Sequence, residues 1–286
     1  MWLRRLILGV IAISFGSLFF LVSDLPDGDL HFYALNVGQG DALFLQTPSG
    51  HRFLFDGGPG KTVVSELGAV MPFFSKRIDA IFVTHPDRDH LEGILHVLKN
   101  YEVGALYVSS FKSNAGLSGA IIRQARAAMV PVIFADERDD LELDDGVTID
   151  LIYPFRPVIT APAAANNASL VAQVRFAGRS ILITGDIEVP TEEELVRAYN
   201  EALTSTILKV PHHGSKTSSI PAFLEAVHAE LAVISVGVDN SYHHPNAEVL
   251  SRLEGSGATV LRTDRAGRVE VTVSAQGAVS STSLMR

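Results

Sequence analysis

The chain of 286 residues contains no cysteine. This absence excludes disulfide bonds, thiolate metal ligands and cysteine nucleophiles, so any metal ion must be held by His, Asp, Glu or Asn side chains. Basic residues are also few, because 23 Lys and Arg face 32 Asp and Glu and leave a formal net charge of -9. Such a surface does not attract polyanions over long distances, although a metal ion can still bind a phosphate group locally.

Charged residues make up only 19% of the chain, and hydrophobic residues make up 47%. This balance predicts a packed core and excludes general disorder. The length suits one large domain or two small ones.

The N-terminal region has its charges on one side only. Residues 6–22 contain no charged side chain, and Arg4 and Arg5 precede them. A run of this length is at the lower limit for crossing a bilayer, and it fits either a cleaved signal peptide or an uncleaved anchor. Because no small-x-small cleavage pattern follows, we predict a membrane anchor over residues 1–22. The two arginines then stay cytoplasmic and the remaining chain lies outside the cytoplasmic membrane; secretion is the alternative.

The remaining sequence alternates short apolar runs with turn signals. We predict a polar linker over residues 23–30, a folded domain over 31–275 and a flexible, Ser-rich tail over 276–286. Continuous apolar runs such as 79–84 indicate buried strands, and amphipathic segments between them indicate helices. Both halves of the domain mix strands and helices, so the pattern predicts an α/β fold: a four-layer αββα sandwich with two sheets face to face. Residues 157–167 are predicted as the longest surface loop.

The strongest chemical signal directly follows the buried strand 79–84. Within six residues stand four side chains of metal-ligand type, His85, Asp87, Asp89 and His90. A tight loop between a strand and a helix can turn all four toward one point, and their atoms are ligands for Zn, Mn or Fe. The alternative is a surface loop in which Asp and His serve as helix caps.

Polar side chains at three other strand ends fit the same site. Asp56 precedes Gly57-Gly58, Asp186 follows Gly185, and His212 and His213 follow a strand over 206–210. Loops at one end of a sandwich converge, so these groups are predicted to meet. Taken alone, Asp-Gly is a common turn and His-His a common solvated pair. Three lysines near these loops are candidates for local positive charge, with solvated surface lysines as the alternative: Lys61, Lys209 and Lys216.

These motifs resemble the metallo-β-lactamase superfamily, and more narrowly the C-terminal hydrolase domain of ComEC-type DNA-internalisation (competence) proteins. The resemblance covers roughly residues 31–273 and keeps the family's order of motifs. The matching blocks are Leu35-Asn36-Val37-Gly38-Gln39-Gly40-Asp41-Ala42, Phe55-Asp56-Gly57-Gly58, His85-Pro86-Asp87-Arg88-Asp89-His90, Thr184-Gly185-Asp186, Val210-Pro211-His212-His213-Gly214-Ser215, His244-Pro245 and Arg262-Thr263-Asp264.

The resemblance implies a role for each matching residue. Six residues match metal ligands: His85, Asp87, Asp89, His90, Asp186 and His212. Asp186 matches the carboxylate that bridges two ions, with His213 as the alternative to His212. Asp56 matches a residue that supports the metal loop by a hydrogen bond. Asn166 and Asn167 lie where many members carry a further His ligand, and Asp41 belongs to the opening block without an assigned role. Asp89 and His244 match catalytic positions, His244 as a proton donor or an oxyanion contact.

Three features depart from the family pattern. Position 36 is Asn where Asp is usual, and His243-His244-Pro245-Asn246 stands where two His-Pro pairs are common. ComEC-type proteins also carry many membrane helices, whereas this sequence has one candidate span.

The resemblance implies a hydrolase with two divalent ions, Zn or Mn, in which a hydroxide between the ions attacks phosphorus. We expect a nuclease or phosphodiesterase acting on DNA outside the cytoplasmic membrane, with a separate DNA-uptake channel protein as a possible partner. The alternatives are a phosphodiesterase for a cell-wall or lipid ester, and a catalytically idle domain of a DNA-uptake assembly. Lactamase activity is the least expected, because Asp87 replaces a second His.

Overall fold

The computed structural model describes residues 5, 25–109, 116–156 and 165–284. The predicted anchor therefore lies outside the described residues except for Arg5, and so does most of the predicted loop 157–167. Both stay predictions. Within the described ranges, no helix combines the length and the apolar composition needed to cross a bilayer.

The described residues form two mixed sheets. The first has eight strands in the order β15-β14-β1-β2-β3-β4-β5-β6, and the second has seven in the order β13-β12-β11-β10-β9-β8-β7. The first contains β1 (Leu30–Ala34), β2 (Leu43–Gln46), β3 (Arg52–Phe55), β4 (Arg77–Val83), β5 (Glu102–Val108), β6 (Val132–Phe134), β14 (Arg268–Val273) and β15 (Val279–Leu284). The second contains β7 (Leu141–Glu142), β8 (Thr148–Tyr153), β9 (Val171–Phe176), β10 (Arg179–Ile183), β11 (Ile207–Lys209), β12 (Leu231–Ile234) and β13 (Thr259–Arg262).

Each sheet has a parallel half and an antiparallel half. The pairs from β3 to β6 and from β10 to β13 are parallel, and the other neighbours are antiparallel. Parallel neighbours need crossover connections, which helices supply here. The helices are α1 (Thr62–Val70), α2 (Arg88–Asn100), α3 (Gly116–Ala127), α4 (Val189–Tyr199), α5 (Pro221–Val227), α6 (Ala247–Gly255) and α7 (Thr263–Ala266), and short 3-10 turns span Asn166–Ala168, Asn200–Leu203 and Pro211–Gly214.

Three apolar clusters divide the molecule into layers. The central cluster joins the facing sides of the sheets, with Phe55 and Phe82 stacked at 4.5 Å between ring centroids. A second cluster lies between the first sheet and α1 to α3, and a third lies between the second sheet and α4 to α6. Burial of apolar area on both faces of each sheet is the dominant stabilising term. The predicted α/β two-sheet sandwich is confirmed.

Helix α2 shows how sequence spacing sets the packing that serves the site. Its buried residues recur at three- and four-residue intervals and include Leu91, Ile94 and Val97, as expected for an amphipathic helix. Gly93 lies on the same face, where a Cβ atom would come within 1.8 Å of the Gly57 carbonyl oxygen. The absence of a side chain at position 93 therefore lets the loop after β3 pack directly on α2.

The prediction of a flexible tail over residues 276–286 was wrong. Val279–Leu284 forms strand β15, which pairs with β14 over six residues from Val279↔Val273 to Leu284↔Arg268. A Ser-rich composition is typical of disordered tails. This strand nevertheless forms, because it is held by backbone hydrogen bonds to β14, and these do not depend on apolar side chains.

We expect Gly93→Ala to lower the free energy of unfolding by about 1–3 kcal/mol, because the new methyl group overpacks the contact with Gly57. Chemical denaturation measures the change. Gly68→Ala is the matched control: it also lies in a helix but has open space around it, so it should stabilise by about 0.5–1 kcal/mol. Equal effects of the two substitutions would contradict the packing argument.

Candidate metal centre

The loop after β4 presents three polar side chains on one side. His85 is fully buried, and its Nδ1 lies 3.0 Å from Oγ1 of Thr84. His90 is also fully buried, one turn into α2. Asp87 occupies the N-cap position of that helix, but its carboxylate makes no capping hydrogen bond. Its Oδ2 lies 3.8 Å from Nε2 of His85. The side chain of Asp87 therefore does not cap helix α2.

Asp56 holds both ends of this loop. Its Oδ1 accepts a hydrogen bond from the backbone N–H of Thr84 at 2.8 Å, and its Oδ2 accepts one from the Thr84 hydroxyl at 2.6 Å. His90 Nδ1 lies 2.8 Å from the same Oδ2. Asp56 has a φ of 60°, which is uncommon for a residue other than Gly. The contact with Nδ1 of His90 is the one expected of a residue that supports the metal loop by a hydrogen bond.

Asp186 reaches the cluster from the second sheet. It follows β10, where Gly185 has a φ of 54° and a Cβ atom would come within 2.8 Å of the Thr84 Cβ. The two sheets therefore touch at the ends of β4 and β10. The backbone N–H of Asp186 donates to Oγ of Ser169 at 3.1 Å, and the backbone N–H of Leu170 donates to the Thr84 carbonyl at 2.8 Å.

The two adjacent histidines after β11 take different positions. Both have a positive φ, 49° at His212 and 53° at His213. His213 is buried, and its Nδ1 donates to the Ser235 carbonyl at 2.9 Å, which directs Nε2 into the cluster. His212 is partly exposed, and its Nδ1 lies 3.5 Å from Oε1 of Glu188. The sequence predicts His212 as the ligand and His213 as the alternative. In the structure Nε2 of both rings faces Oδ2 of Asp186, and His213 is the closer of the two, at 3.3 Å against 3.9 Å.

The side chains from both sheets meet around one carboxylate. Oδ2 of Asp186 lies 3.3 Å from Nε2 of both His90 and His213, and 3.9 Å from Nε2 of His85. It also lies 3.9 Å from Nε2 of His212. Oδ2 of Asp89 lies 3.7 Å from Nε2 of His213. The central position of Asp186 suits a carboxylate that is shared between two ions.

Four buried atoms of this cluster lack hydrogen-bond partners among the described residues. They are Nε2 of His85, His90 and His213, and Oδ1 of Asp186. A buried polar atom without a partner costs free energy, and here four such atoms point at one region. In each imidazole the Nδ1 atom is already engaged, which is the usual arrangement of a metal-binding His. The donor set of nitrogen and carboxylate oxygen therefore fits divalent metal ions.

Two overlapping triads divide the ligand atoms. Those of His85, His90 and Asp186 lie within 4.8 Å of one another, and so do those of Asp89, His90 and His213. Two triads that share a side chain next to a central carboxylate are consistent with a centre for two ions.

The charges of the cluster shift its imidazole pKa values in opposite directions. Burial lowers the pKa of His90, but the carboxylates of Asp186 and Asp56 outweigh burial and hold that pKa well above its usual range. For His213, burial is likewise outweighed by Asp186 and Asp41. Burial and the neighbouring His90 lower the pKa of His85 to about 3. Without metal, the cluster thus holds protons where cations would bind.

A buried ion pair lies behind the cluster. Nζ of Lys209 lies 2.6 Å from Oδ2 of Asp41, and both residues are buried. Burial raises the pKa of Asp41, but Lys209 and then His213 hold it well below its usual range. The prediction that Lys209 is a solvated surface lysine was wrong, because Lys209 is the last residue of the buried strand β11. Asp41 contacts His213 from behind, with 3.4 Å between Oδ1 and Nδ1.

The two asparagines expected at a further ligand position lie in the 3-10 turn before β9. The Asn167 amide is used locally: its Oδ1 accepts from the backbone N–H of Glu188 at 3.0 Å and from the Thr191 hydroxyl at 3.0 Å. The Asn166 carbonyl accepts from the backbone N–H of Ser169 at 2.9 Å. Asn167 therefore holds the start of α4 in place.

His244 lies at the open side of the cluster. Its ring is 5.8 Å from the His212 ring, in an edge-on arrangement. Burial and the neighbouring imidazoles of His212 and His213 lower the pKa of His244 to about 4. At neutral pH this ring is uncharged, so it can donate a hydrogen bond but is not an imidazolium acid.

The sequence alone did not single out three residues that shape the site. Thr84 contacts both His85 and Asp56, Glu188 approaches His212, and Ser235 holds His213. Glu188 stands two residues after Asp186, and this nearby carboxylate was the available signal. The contact of Ser235 joins the residue after β12 to the 3-10 turn after β11 and leaves no local pattern in the sequence.

The chain belongs to the metallo-beta-lactamase superfamily. The sequence model of that superfamily matches residues 35–238, which include the strands and loops of the cluster described above.

Two relatives within this superfamily belong to the competence proteins. The chain is 31% identical to ComE operon protein 3 of Bacillus subtilis over 82% of its own length and 32% of that protein. It is also 31% identical to competence protein ComA of Neisseria gonorrhoeae, over 86% of its own length and 32% of that protein. The chain thus spans about a third of the length of the curated relatives it matches.

A solved structure supports the fold. Igni18, a metallo hydrolase from the archaeon Ignicoccus hospitalis, aligns with a TM-score of 0.55 and covers 89% of this chain and 100% of its own. The sequences are 15% identical, so this likeness concerns the fold alone.

We expect His213→Ala to weaken binding of Mn²⁺ or Zn²⁺ at least about 10-fold, and His212→Ala to weaken it less. The reason is that His213 is buried, has its Nδ1 bonded to Ser235, and brings Nε2 closer to Oδ2 of Asp186 than His212 does, 3.3 Å against 3.9 Å. Competition with a chromophoric chelator measures both affinities. The two variants are matched, since both remove an imidazole at a residue with positive φ. A larger loss for His212→Ala would contradict the placement.

Metal affinity is expected to fall as the pH is lowered. His90 and His213 have raised pKa values in the metal-free protein, and each must lose a proton before it binds an ion. Below those pKa values, each proton that must leave costs about 10-fold in affinity per pH unit. Calorimetry in buffers of different ionisation enthalpy should show proton release at neutral pH. Binding without proton release would overturn the expectation.

Proposed function

We propose that this chain is a metal-dependent phosphodiesterase that cleaves DNA outside the cytoplasmic membrane. The observation that carries the proposal is the convergence of three buried imidazole Nε2 atoms on Asp186. These atoms and Oδ1 of Asp186 have no hydrogen-bond partner among the described residues. Two similarities support DNA as the substrate. The sequence motifs resemble those of ComEC-type DNA-internalisation proteins, and one relative is named competence protein ComA.

The residues fall into two ligand groups under this proposal. His85, Asp87 and Asp186 would hold one ion, and Asp89, His90 and His213 would hold the second together with Asp186. When bound, Zn or Mn ions supply Lewis acidity toward phosphoryl oxygens and lower the pKa of water. This local chemistry reconciles the net charge of -9 with a polyanionic substrate.

Other side chains serve the substrate and the attacking water. Asp89 is less buried than the histidines, with 35% of its side chain exposed, so its carboxylate can orient a water molecule at the open edge. His244 is uncharged at neutral pH, which favours a hydrogen bond to a phosphoryl oxygen over proton donation to the leaving group. The Thr217 hydroxyl donates a hydrogen bond to Oε1 of Glu188 at 2.8 Å. Because the same Oε1 lies 3.5 Å from Nδ1 of His212, this pair holds the His212 ring in place.

Phosphodiesterase activity should depend on added metal and on Asp186. The full chain, purified in detergent, is tested on labelled single- and double-stranded DNA with Mn²⁺, Zn²⁺, Mg²⁺ or EDTA. We expect cleavage with Mn²⁺ or Zn²⁺, none in EDTA, and at least about a 100-fold loss in Asp186→Asn. Asp144→Asn is the control, because Asp144 lies in a surface turn with 82% of its side chain exposed.

Two outcomes separate this proposal from its alternatives. Hydrolysis of small phosphodiesters without cleavage of DNA would favour a cell-wall or lipid ester as the substrate. Metal binding without hydrolysis of either would favour an idle domain that acts beside a separate DNA-uptake channel.

Fractionation of the expressing cells tests the predicted anchor: recovery of a chain lacking residues 6–22 in the membrane fraction would count against it.

A further inference from the structure

An exposed aromatic side chain lies on the loop that carries His244, at the open side of the candidate metal centre. The loop between β12 and α6 contains Val238 and Tyr242, which are 69% and 66% exposed. Single exposed apolar residues are common on protein surfaces and need no explanation by themselves. Two further features of this loop, its internal bonding and its ring contacts, set Tyr242 apart.

The loop is closed on itself by one side chain. Oδ1 of Asn240 accepts from the backbone N–H of His244 at 2.9 Å. Its Nδ2 donates to the carbonyls of His244 and Gly237 at 2.7 and 3.1 Å. The backbone N–H of Gly237 donates to Oε1 of Gln39 at 3.2 Å, which ties the loop to the one after β1. Tyr242 is therefore presented by a bonded loop, and little entropy is lost when a ligand contacts it.

A row of rings leads from Tyr242 to the metal ligands. Tyr242 stacks on His244 with 5.8 Å between centroids and 18° between planes. His244 is 5.8 Å from His212, and His212 is 6.2 Å from His213, which belongs to the ligand cluster. Since one face of Tyr242 covers His244 and most of the residue is exposed, the opposite face is open to solvent beside the site.

We propose that the open face of Tyr242 stacks on a base of a single-stranded nucleic acid whose phosphodiester lies at the metal centre. This inference rests on the phosphodiesterase function proposed above and assigns its substrate class. Base–aromatic stacking does not depend on sequence and supplies affinity that an acidic protein does not gain from charge. In a duplex the bases are already stacked and paired, so the ring reaches a base only after it leaves the helix.

The test separates base stacking from phosphate binding. The substrates are a short single strand of deoxythymidine, an abasic strand with the same number of phosphates, and a duplex. We expect Tyr242→Ala to lower kcat/KM on the base-bearing single strand about 10-fold, mainly through KM, as expected for loss of one stacking ring. On the abasic strand it should change kcat/KM less than about twofold, because that strand has no base to stack.

Two controls isolate the ring. Tyr242→Phe keeps the aromatic face and should behave like the unsubstituted chain. Phe73→Ala removes a ring that is 78% exposed but precedes β4, at the opposite end of that strand from the site, so it should have no effect on either substrate. Loss in Tyr242→Phe equal to that in Tyr242→Ala would assign the effect to the hydroxyl and overturn the stacking proposal.

A binding measurement keeps the inference independent of catalysis. Fluorescence anisotropy with a phosphorothioate-linked strand that resists cleavage gives the affinity in Mn²⁺ for the base-bearing and abasic forms. A loss confined to the base-bearing form in Tyr242→Ala supports the proposal even if no phosphodiester is hydrolysed, in which case only the enzymatic function fails. An equal loss on both forms, or no loss, overturns it.

Discussion

The carboxylate of Asp56 is the constraint on which the centre depends. It receives two hydrogen bonds from Thr84 and contacts Nδ1 of His90, so one buried group fixes both ends of the loop after β4. Asp56 also begins the turn that packs on α2 at Gly93. There the backbone of Gly57 occupies the space that a side chain at position 93 would need. Strand, loop and helix are thus held in one geometry, in which Nε2 of His85 and of His90 faces Oδ2 of Asp186.

The centre combines this rigid frame with electrostatic conflict. Asp186 lies between three imidazoles whose Nε2 atoms make no hydrogen bond among the described residues, and the pKa values of His90 and His213 rise in response. Lys209 and Asp41 place a paired charge behind His213. Removing either partner would leave the other charge buried alone, which is costly. Divalent ions would relieve the conflict because they would give the carboxylates and imidazoles one common partner.

The position of the centre follows from how the two sheets meet. The ends of β4 and β10 approach so closely that Gly185 leaves no room for a Cβ beside Thr84. This contact brings Asp186, on one sheet, to His85 and His90, on the other. The open edge carries the less buried groups, Asp89 and His244, and then the loop with Tyr242, so that burial decreases from the side chains around Asp186 toward this edge.

The sequence by itself determined the fold class and most of the residues that meet in the candidate metal centre, because both depend on local patterns. Apolar runs gave the strands, and four polar residues after one strand predicted a loop of ligands. The sequence ranked His212 above His213, but the directions of the two rings depend on two positive φ angles and on the distant Ser235 carbonyl. It misread Lys209 and the strand Val279–Leu284, whose environments consist of an ion pair and a backbone ladder with remote residues. Contacts between residues far apart in the chain leave no local pattern, and only the tertiary structure decided them.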